Sequence, residues 1–323
     1  MKYGKLILNG NDDEYIYYPD NKFHKLISSG KFSNLFKGER KSDNAFVIIK
    51  MLNENLSKVS KAVNRFKQES SFNFFNPNII KVFDYIEQDG NCYIVMEYVD
   101  GINLKQISQH RKYRKNAKQR FYIKCIIEVL DALEELHNNR IYHRDIKPSN
   151  IIVEFVNTQK DIDFESPKVK LIDLGQFKSD NSELINVEPF SLIYSPPEQV
   201  LNIQSLINTT SDIYSTGITL YELLTGEPPF WDCNPLKLMT LQIAANIPED
   251  KHIKPELFEI LKKATDKYIF PRPPHYYKLS YLIKLLKEGQ DNRFQSAKEF
   301  NKALIDFVNL DINVNQELKY DKK

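Results

Sequence analysis

The sequence changes character at Asp100-Gly101, and this change constrains the fold more than any other feature. Before it, short runs rich in aromatic and β-branched residues are separated by turn-forming residues, which is typical of β-strands. Beyond it, apolar side chains recur at helical spacing. The sequence therefore predicts an α+β protein, in which a small β-rich N-terminal lobe precedes a larger helical C-terminal lobe.

The predicted strands are residues 5–8, 14–18, 23–27, 34–39, 45–50 and 92–99. The first two flank the turn-rich stretch NGNDD, so a hairpin is expected near the N-terminus. Apolar residues at helical spacing predict one helix from Phe121 to Leu136 and another from Asp212 to Leu224. Gly226 and two prolines follow the second helix and are expected to end it.

Composition excludes several classes of protein. A net charge of +2 over 323 residues gives no overall attraction to nucleic acid or membranes. Cys92, Cys125 and Cys233 lie far apart without a CxxC spacing, so we expect no disulfide partner and predict a cytoplasmic location. Residues 1–20 lack the apolar core of a secretion signal, and no stretch has the roughly 18 apolar residues that a membrane helix needs.

The most specific run is YHRDIKPSN at residues 142–150, followed at 169–175 by an apolar strand that ends in Asp-Leu-Gly. In these runs the chain resembles the eukaryotic-type (Hanks-type) serine/threonine protein kinase family, whose catalytic loop has the pattern HRDxxxxN. Residues 47–50 and 65–69 resemble the lysine strand and glutamate helix of that family. The resemblance covers about residues 22–308. It implies phosphorylation of serine and threonine hydroxyls on protein substrates with ATP and Mg²⁺, together with autophosphorylation.

The resemblance assigns roles to the residues of the catalytic loop and the Asp-Leu-Gly motif. Asp145 is implied to orient the substrate hydroxyl or accept its proton, and Lys147 to neutralise charge on the transferred phosphoryl group. Asn150 and Asp173 are the implied magnesium ligands. An Asp-x-Gly after a strand is a common turn by itself, but here it follows the catalytic loop in the order that the family has.

The resemblance also assigns a nucleotide site. Lys50 is implied to contact the α- and β-phosphates, with Glu69 as its orienting partner. Residues 26–35 align with the glycine-rich loop GxGxxG, but only the central Gly30 matches a glycine. Ile48 stands where the family usually has alanine, so it is expected to narrow the adenine slot. The implied nucleotide contacts are Ile27, Ser28, Gly30, Ser33, Leu35, Ile48, Lys50, Met96, Glu97, Val99 and Ile152.

The domain boundaries follow from the extent of the resemblance. We expect an N-terminal extension at 1–21, a kinase N-lobe at 22–98 and a kinase C-lobe at 99–308, followed by a C-terminal tail at 309–323. The C-lobe is longer than the family norm and carries an insertion near 268–290. Within it, Leu279, Leu282, Ile283 and Leu286 fall on one face of a predicted helix that Gly289 ends. This face is expected to pack on its own lobe or to bind a partner.

Several supporting residues are implied by the same resemblance. Glu198, in Ser-Pro-Pro-Glu, is expected to form a buried ion pair with Arg293. Asp212 is expected to brace the catalytic loop from its helix, and Ser191 to contact the catalytic Asp and Lys.

Arg144 beside the catalytic aspartate suggests regulation by a phosphate on the segment that follows Asp-Leu-Gly. Ser179 and Ser182 are the candidate phosphorylation sites, and ordinary polar loop serines are the alternative interpretation.

Two alternative functions remain open from the sequence. A catalytically weak pseudokinase that binds nucleotide as a scaffold fits the altered glycine loop and Ile48, although Lys50, Asp145, Asn150 and Asp173 are all present. A small-molecule kinase of the antibiotic-modifying kind lacks the Ser-Pro-Pro-Glu segment, which this chain has. The family leaves a basic run at 110–120 unexplained. It is predicted as a solvated face or as a surface for acidic substrates, phospholipid or nucleic acid. Residues 157–167 are expected to form a surface excursion.

Overall fold

A computed structural model describes residues 4–18, 26–30, 32–71, 74–173 and 192–320, with the backbone alone at residue 26 and after residue 311. The chain divides into two compact units, residues 1–100 and 101–323. Strands predominate in the first unit and helices in the second, which confirms the predicted α+β class and its order along the chain. The division falls within a few residues of the predicted lobe boundary.

The first unit is built on an antiparallel sheet whose strands run in the order β1-β2-β4-β5-β7-β6, with β3 paired to β4. The strands are β1 Leu6–Asn9, β2 Glu14–Tyr17, β3 Leu26–Ser29, β4 Ser33–Arg40, β5 Phe46–Leu52, β6 Val82–Gln88 and β7 Asn91–Glu97. Strand β3 continues beyond the predicted end at residue 27 to Ser29, and residues 23–25 of that prediction lie outside the described residues. Strand β6 was not predicted.

An N-terminal hairpin extends this sheet. Strands β1 and β2 pair with each other, and β2 continues the sheet by pairing with β4. On one face the hairpin buries Leu8, Tyr15 and Tyr17 in a core shared with β4 to β7. The turn is fixed as well, because Asn11 donates from its backbone and its side chain to the buried carboxylate of Asp84, at 2.8 and 2.7 Å. The hairpin is therefore part of the folded core of this unit.

Two helices follow strand β5 in the first unit, α1 Glu54–Ser57 and α2 Ser60–Ser70. Helix α2 has one buried side, formed by Phe66 and Glu69. The ring of Phe66 lies edge-on to Tyr85 of β6, at 6.4 Å between centroids. This packing places the carboxylate of Glu69 against the sheet.

The second unit combines a three-stranded antiparallel sheet, in the order β10-β9-β8, with many helices. The strands are β8 Gly101–Asn103, β9 Ile151–Glu154 and β10 Val169–Leu171. The helices are α3 Leu104–Gln109, α4 Arg111–Arg114, α5 Gln119–Asn138, α6 Pro197–Val200, α7 Thr209–Thr225, α8 Pro235–Ala244, α9 Pro255–Ala264, α10 Leu279–Asp291 and α11 Ala297–Tyr320, with 3-10 turns at Pro148–Asn150, Gln204–Leu206 and Pro274–Tyr276.

Helices α5 and α7 pack together at the centre of the second unit. The apolar side of α5 is fully buried along its length, as its periodicity predicts. Helix α7 is buried on all sides from Thr210 to Leu224, and Asp212 and Glu222 are the only charged residues in its sequence. It ends at Gly226, whose φ of 90° is a left-handed conformation that glycine adopts without strain. Both predicted helices are confirmed, with slightly longer bounds.

The predicted insertion contains helix α10, but two details differ from the prediction. Helix α10 continues to Asp291, so Gly289 does not end it. A side chain at Gly289 would overlap the backbone of Lys267 and Tyr268, so this glycine permits close packing within the helix. Leu282, Leu285 and Leu286 are buried, whereas Leu279 is 61% exposed. The apolar face therefore packs on its own unit, and Leu279 does not belong to it.

Two segments outside the core are also defined. Residues 157–167 lie on the connection between β9 and β10 and are mostly exposed, as predicted, although Ile162 is buried. Helix α11 passes the predicted tail boundary at residue 308 and runs to Tyr320. Among the helices that the structure describes, none has the length and apolar character of a membrane-spanning segment.

Candidate active site

In the first unit, Lys50 and Glu69 form the predicted ion pair. Successive side chains of strand β5 point to opposite faces of the sheet. Val47 and Ile49 therefore pack in the core that contains Leu8, Tyr15 and Tyr17, while Lys50 projects from the opposite face. The Lys50 Nζ lies 2.6 Å from the Glu69 Oε1, with the residues 7% and 4% exposed. Because a buried charge is costly without a partner, each of these residues depends on the other.

The candidate phosphate loop connects β3 to β4. Gly30 N donates to Ser33 O at 2.9 Å and closes the turn. Asn53, directly beyond β5, donates from its backbone to Phe32 O at 2.9 Å and from Nδ2 to Gly30 O at 3.0 Å. Sequence reasoning missed Asn53, because an asparagine after a strand carries no signal of the loop that it contacts. The loop has one glycine, but the strand end beside it fixes its position.

The remaining nucleotide candidates of the first unit lie on or near strands β3, β4, β5 and β7. Ile48 stands opposite Met96 in the pairing of β5 with β7, so these side chains are neighbours on one face. Ser28 stands opposite Leu35 in the pairing of β3 with β4, and Ile27 beside it is exposed. Glu97 is the last residue of β7, and Val99 follows it.

In the second unit, the catalytic loop brings together three of the predicted residues. The Lys147 Nζ lies 2.8 Å from the Asp145 Oδ2. The Asn150 Nδ2 donates to the backbone oxygen of Asp145 at 2.8 Å and to its Oδ2 at 3.2 Å. A carboxylate held by an ammonium and an amide has a fixed orientation, as a group that positions a substrate hydroxyl requires.

The two predicted magnesium ligands lie at the same end of the β9–β10 pair. Asn150 immediately precedes β9, and Ile172 N donates to Asn150 O at 3.0 Å, which extends the strand pairing by one residue. Asp173 is the next residue, exposed and with a φ of 62°. Ile152, the nucleotide candidate of this unit, lies in β9 between β8 and β10.

This donor set fits magnesium. Mg²⁺ binds one or two carboxylates and completes its shell with water and phosphate oxygens. Asp173 supplies an exposed carboxylate. The amide nitrogen of Asn150 is used within the loop, so the amide is oriented with its oxygen as the ligand atom.

Asp212 of helix α7 braces the catalytic loop, as predicted. Its Oδ2 accepts from His143 N at 2.9 Å and its Oδ1 from Arg144 N at 2.7 Å. The His137 Nε2 lies 2.8 Å from the same carboxylate. Burial alone would raise the pKa of Asp212, but the hydrogen bonds and charges of its histidine and backbone partners outweigh burial, so this pKa is lowered. The carboxylate stays ionised and holds the loop backbone.

His143 is a second residue that the sequence analysis did not assign to the site. It is fully buried, and its Nδ1 accepts from Asp145 N at 3.3 Å. Its Nε2 lies 3.1 Å from Ile172 O and acts as the donor there, since a carbonyl oxygen accepts. Burial lowers the pKa of His143 and favours this neutral form. The ring thus joins the loop that carries Asp145 to the strand end that carries Asp173.

The predicted ion pair between Glu198 and Arg293 is present and buried, at 2.7 and 3.2 Å. Burial would raise the pKa of Glu198, but the guanidinium of Arg293 outweighs burial, and the pKa of Glu198 is lowered. Ser211 also donates to Glu198 at 2.8 Å. The pair fixes the segment that follows Tyr194 to the helical core.

Three predicted residues lie outside the described residues. Ser179 and Ser182, the candidate phosphorylation sites, and Ser191, the candidate contact of the catalytic loop, all fall within residues 174–191. Their predicted roles stay predictions.

Comparison with known proteins is consistent with this geometry. The sequence profile of the family described as protein kinase domain matches residues 22–305. A probable serine/threonine-protein kinase of Clostridium perfringens is 32% identical over 286 residues, which are 86% of this chain and 37% of that protein. Bacillus subtilis PrkC, a serine/threonine-protein kinase, is 31% identical over 77% of this chain and 37% of its own length. The serine/threonine-protein kinase PknB of Mycobacterium tuberculosis is 30% identical over 80% of this chain and 38% of its own length.

Solved structures show the same fold. The crystal structure of the Mycobacterium tuberculosis PknI kinase domain matches with a TM-score of 0.57 at 22% identity, covering 87% of this chain and 93% of that one. A double mutant of the same domain matches with a TM-score of 0.62 at 19% identity, covering 95% and 98%. The chain spans less than half the length of the curated relatives described above.

Proposed function

The chain belongs to the protein kinase family, and we propose that it transfers the γ-phosphate of ATP to serine and threonine hydroxyls of proteins, including its own. The family match over residues 22–305 supports this proposal, as do relatives named serine/threonine-protein kinases. Those relatives are more than twice as long, so the proposal concerns the reaction of this chain and not their further activities.

One observation carries the proposal, namely the arrangement of Asp145, Lys147 and Asn150 around a single carboxylate. The Lys147 Nζ and the Asn150 Nδ2 both lie within hydrogen-bond distance of the Asp145 Oδ2, at 2.8 and 3.2 Å. Phosphoryl transfer requires a positioned carboxylate for the hydroxyl and a cation for the developing charge. A lysine two residues past the aspartate supplies that cation.

The chain's own residues divide the work as follows. Asp145 orients the attacking hydroxyl and takes its proton, while Lys147 neutralises charge on the transferred group. Asn150 and Asp173 would hold Mg²⁺, which neutralises phosphate charge when it is bound. In the first unit, Glu69 holds Lys50 in the orientation that phosphate binding needs. Ile27, Ser28, Gly30, Ser33, Leu35, Ile48, Met96, Glu97, Val99 and Ile152 are the proposed nucleotide contacts.

A pseudokinase scaffold is less well supported than an active enzyme. Lys50 and Glu69 are paired within the first unit, and Asp145 is held by Lys147 and Asn150 within the second. A scaffold needs nucleotide affinity at most, and it does not need a carboxylate oriented for a hydroxyl.

The test is a transfer assay with purified protein, labelled ATP and Mg²⁺. We expect label on the chain itself and on a generic basic protein, and we expect Asp145→Asn and Lys50→Met to abolish it. Phosphoamino-acid analysis should show phosphoserine or phosphothreonine. Nucleotide binding without transfer, with either Mg²⁺ or Mn²⁺, would overturn the proposal in favour of a scaffold, and phosphotyrosine alone would overturn the residue class. A cytoplasmic location remains a prediction from the cysteine pattern.

A further inference from the structure

The basic run at residues 110–120, here called the basic segment, is anchored to the second unit by two of its members. The buried Tyr113 donates from its hydroxyl to Lys160 O at 2.9 Å. Lys112 Nζ donates to Gln159 O and Lys160 O, both at 3.2 Å, and lies 3.3 Å from Asp161. These contacts fix the segment on the 157–167 excursion and account for Lys112.

Most other cations of the segment have no such role. They are exposed, and none forms an ion pair or side-chain hydrogen bond with any residue in the described parts of the chain. This unpaired set is Arg111, Arg114, Lys115, Lys118 and Arg120.

This charge is unfavourable for the isolated chain. Like charges three or four residues apart on a helical turn destabilise it, as between Arg111 and Arg114 or Lys115. Cations at a helix N-terminus also oppose the helix dipole, and helix α5 begins at Gln119 with Lys118 as its N-cap and no acidic residue in its first turn. No ion pair within the described residues offsets these five cations, which leaves them available to an anionic partner.

The two ends of the basic segment lie at different distances from the catalytic loop of the same unit. Helix α3, which directly precedes the segment, contacts the 3-10 turn Pro148–Asn150 of that loop. The later cations, Lys115 to Arg120, lie at the N-terminal end of α5, whereas the C-terminal end of α5 is joined to the start of the loop through Asp212. The 20 residues of α5 span about 30 Å, so a ligand on these later cations leaves the catalytic residues accessible.

We propose that the basic segment docks an acidic segment of a partner protein. Carboxylates pair well with clustered arginine and lysine side chains, and arginine binds them with two hydrogen bonds. The tyrosine of the segment, Tyr113, is buried, and the ring of His110 packs against it at 5.2 Å between centroids. The segment therefore lacks an exposed phenylalanine, tyrosine or tryptophan on which nucleic-acid bases could stack. The neighbouring excursion carries the exposed acids Asp161, Asp163 and Glu165. These carboxylates would repel a broad anionic membrane surface, whereas a narrow peptide can bind beside them.

The partner is a substrate if the proposed kinase function holds, and this extension rests on that function. The phosphoacceptor must reach Asp145 while the acidic segment binds at the other end of α5. A separation of about 30 Å corresponds to roughly nine or more residues of extended chain. The preferred substrate therefore carries its acidic segment at least that far from the serine or threonine.

The binding test uses the full chain and a fluorescent peptide of about ten glutamates, followed by anisotropy. The triple variant Arg114→Glu, Lys115→Glu, Lys118→Glu reverses three of the five unpaired charges and takes the set from +5 to −1. The control variant Lys284→Glu, Lys287→Glu, Lys302→Glu changes the net charge equally at exposed positions elsewhere in the second unit. We expect the first variant to weaken peptide binding at least about tenfold and the control less than about twofold, with binding weaker at higher salt.

Equal loss in both variants would overturn the proposal, since it would show a nonspecific charge effect. Tighter binding of phosphatidylserine vesicles or of a DNA duplex than of the peptide, lost in the first variant, would overturn the choice of partner. Unchanged circular dichroism and unfolding temperature in the variants exclude misfolding.

A kinetic test addresses the substrate extension. Two peptides share one phosphoacceptor sequence, and one of them also carries glutamates about twelve residues away. We expect the first variant to raise KM for the acidic peptide with kcat unchanged, and to leave the other peptide unaffected. Equal KM values for both peptides with the unmodified chain would overturn the extension. If neither peptide is phosphorylated and the chain labels neither itself nor a generic basic protein, the proposed function fails while the binding test still decides the docking surface.

Discussion

Asn53 holds the candidate phosphate loop through Gly30, with its Nδ2 3.0 Å from the Gly30 carbonyl oxygen. Its backbone N–H is bonded to Phe32 O in the same loop. The loop lacks the flexibility that three glycines would give, and its position depends instead on the residue that ends the lysine strand. In this chain, the strand that carries Lys50 and the loop above it are thus one connected element.

We expect Asn53→Ala to raise KM for ATP about fivefold, because a net hydrogen bond is worth about 1 kcal/mol. Asn53→Asp should behave similarly, since it keeps the size and loses the Nδ2 donor. The backbone bond to Phe32 persists in both variants, so kcat should change less than KM. Steady-state kinetics measure this split. An unchanged KM in both variants would show that the loop does not need this contact.

Lys50 and Glu69 should each depend strongly on the other. Removing one member of a buried ion pair takes away the partner that lies 2.6 Å from the remaining charge, at a cost of about 3 kcal/mol. We therefore expect Lys50→Met and Glu69→Leu each to lower the free energy of unfolding by about that amount. The double variant should lose clearly less than the sum, because it removes both members of the pair together. Urea unfolding of the single and double variants measures the coupling, and strict additivity would contradict it.

Because His143 is buried in its neutral form, we expect the free energy of unfolding to fall at mildly acidic pH. Its pKa is lowered in the folded state by burial, from an ordinary value of 6.5. As pH falls below 6.5, His143 takes up a proton in the unfolded chain but not yet in the folded chain. The free energy of unfolding is therefore at its full value above pH 6.5 and declines below it. Urea midpoints between about pH 7.5 and 5.5 measure the decline. His143→Gln should flatten it, while His275→Gln, at an exposed position, should not.

Asp84 should contribute to stability through the hairpin turn. It accepts two hydrogen bonds from Asn11 and one from Tyr85 N, at 2.7 to 2.9 Å. We expect Asp84→Ala to lower the free energy of unfolding by about 2 kcal/mol, because three donors lose their acceptor. Asp12→Ala, at an exposed position in the same turn, is the control and should have little effect. Equal effects would show that the turn is not fixed by Asp84.

The sequence was sufficient to predict those parts of the site that depend on residue types at fixed spacings within short motifs. The catalytic loop, the Lys50–Glu69 pair and the Glu198–Arg293 pair all depend on residue types at fixed positions in family motifs. The two long helices followed from their apolar periodicity, since a buried stripe repeats at helical spacing.

Other features depend on contacts between segments that are distant in the chain. In strand β6, apolar and polar residues alternate only weakly, so the sequence did not predict it. The strand is held by its pairing with β7 and by the hydrogen bond from Asn11 to Asp84. Glycine often ends a helix, so residue type alone predicted an end at Gly289. The glycine instead lies within the helix, where the absence of a side chain lets the backbone of Lys267 pack against it. Asn53 and His143 act through carbonyl groups of other segments, which residue type does not reveal.

The buried hairpin has a consequence for where this domain begins as a folding unit. The family match starts at residue 22, yet Leu8, Tyr15 and Tyr17 fill the core beneath β5. A recombinant fragment cut at the start of the match would leave Val47 and Ile49 without the hairpin side chains that cover them, on the strand that carries Lys50. Evolutionary homology and cooperative folding thus have different starting points in this protein.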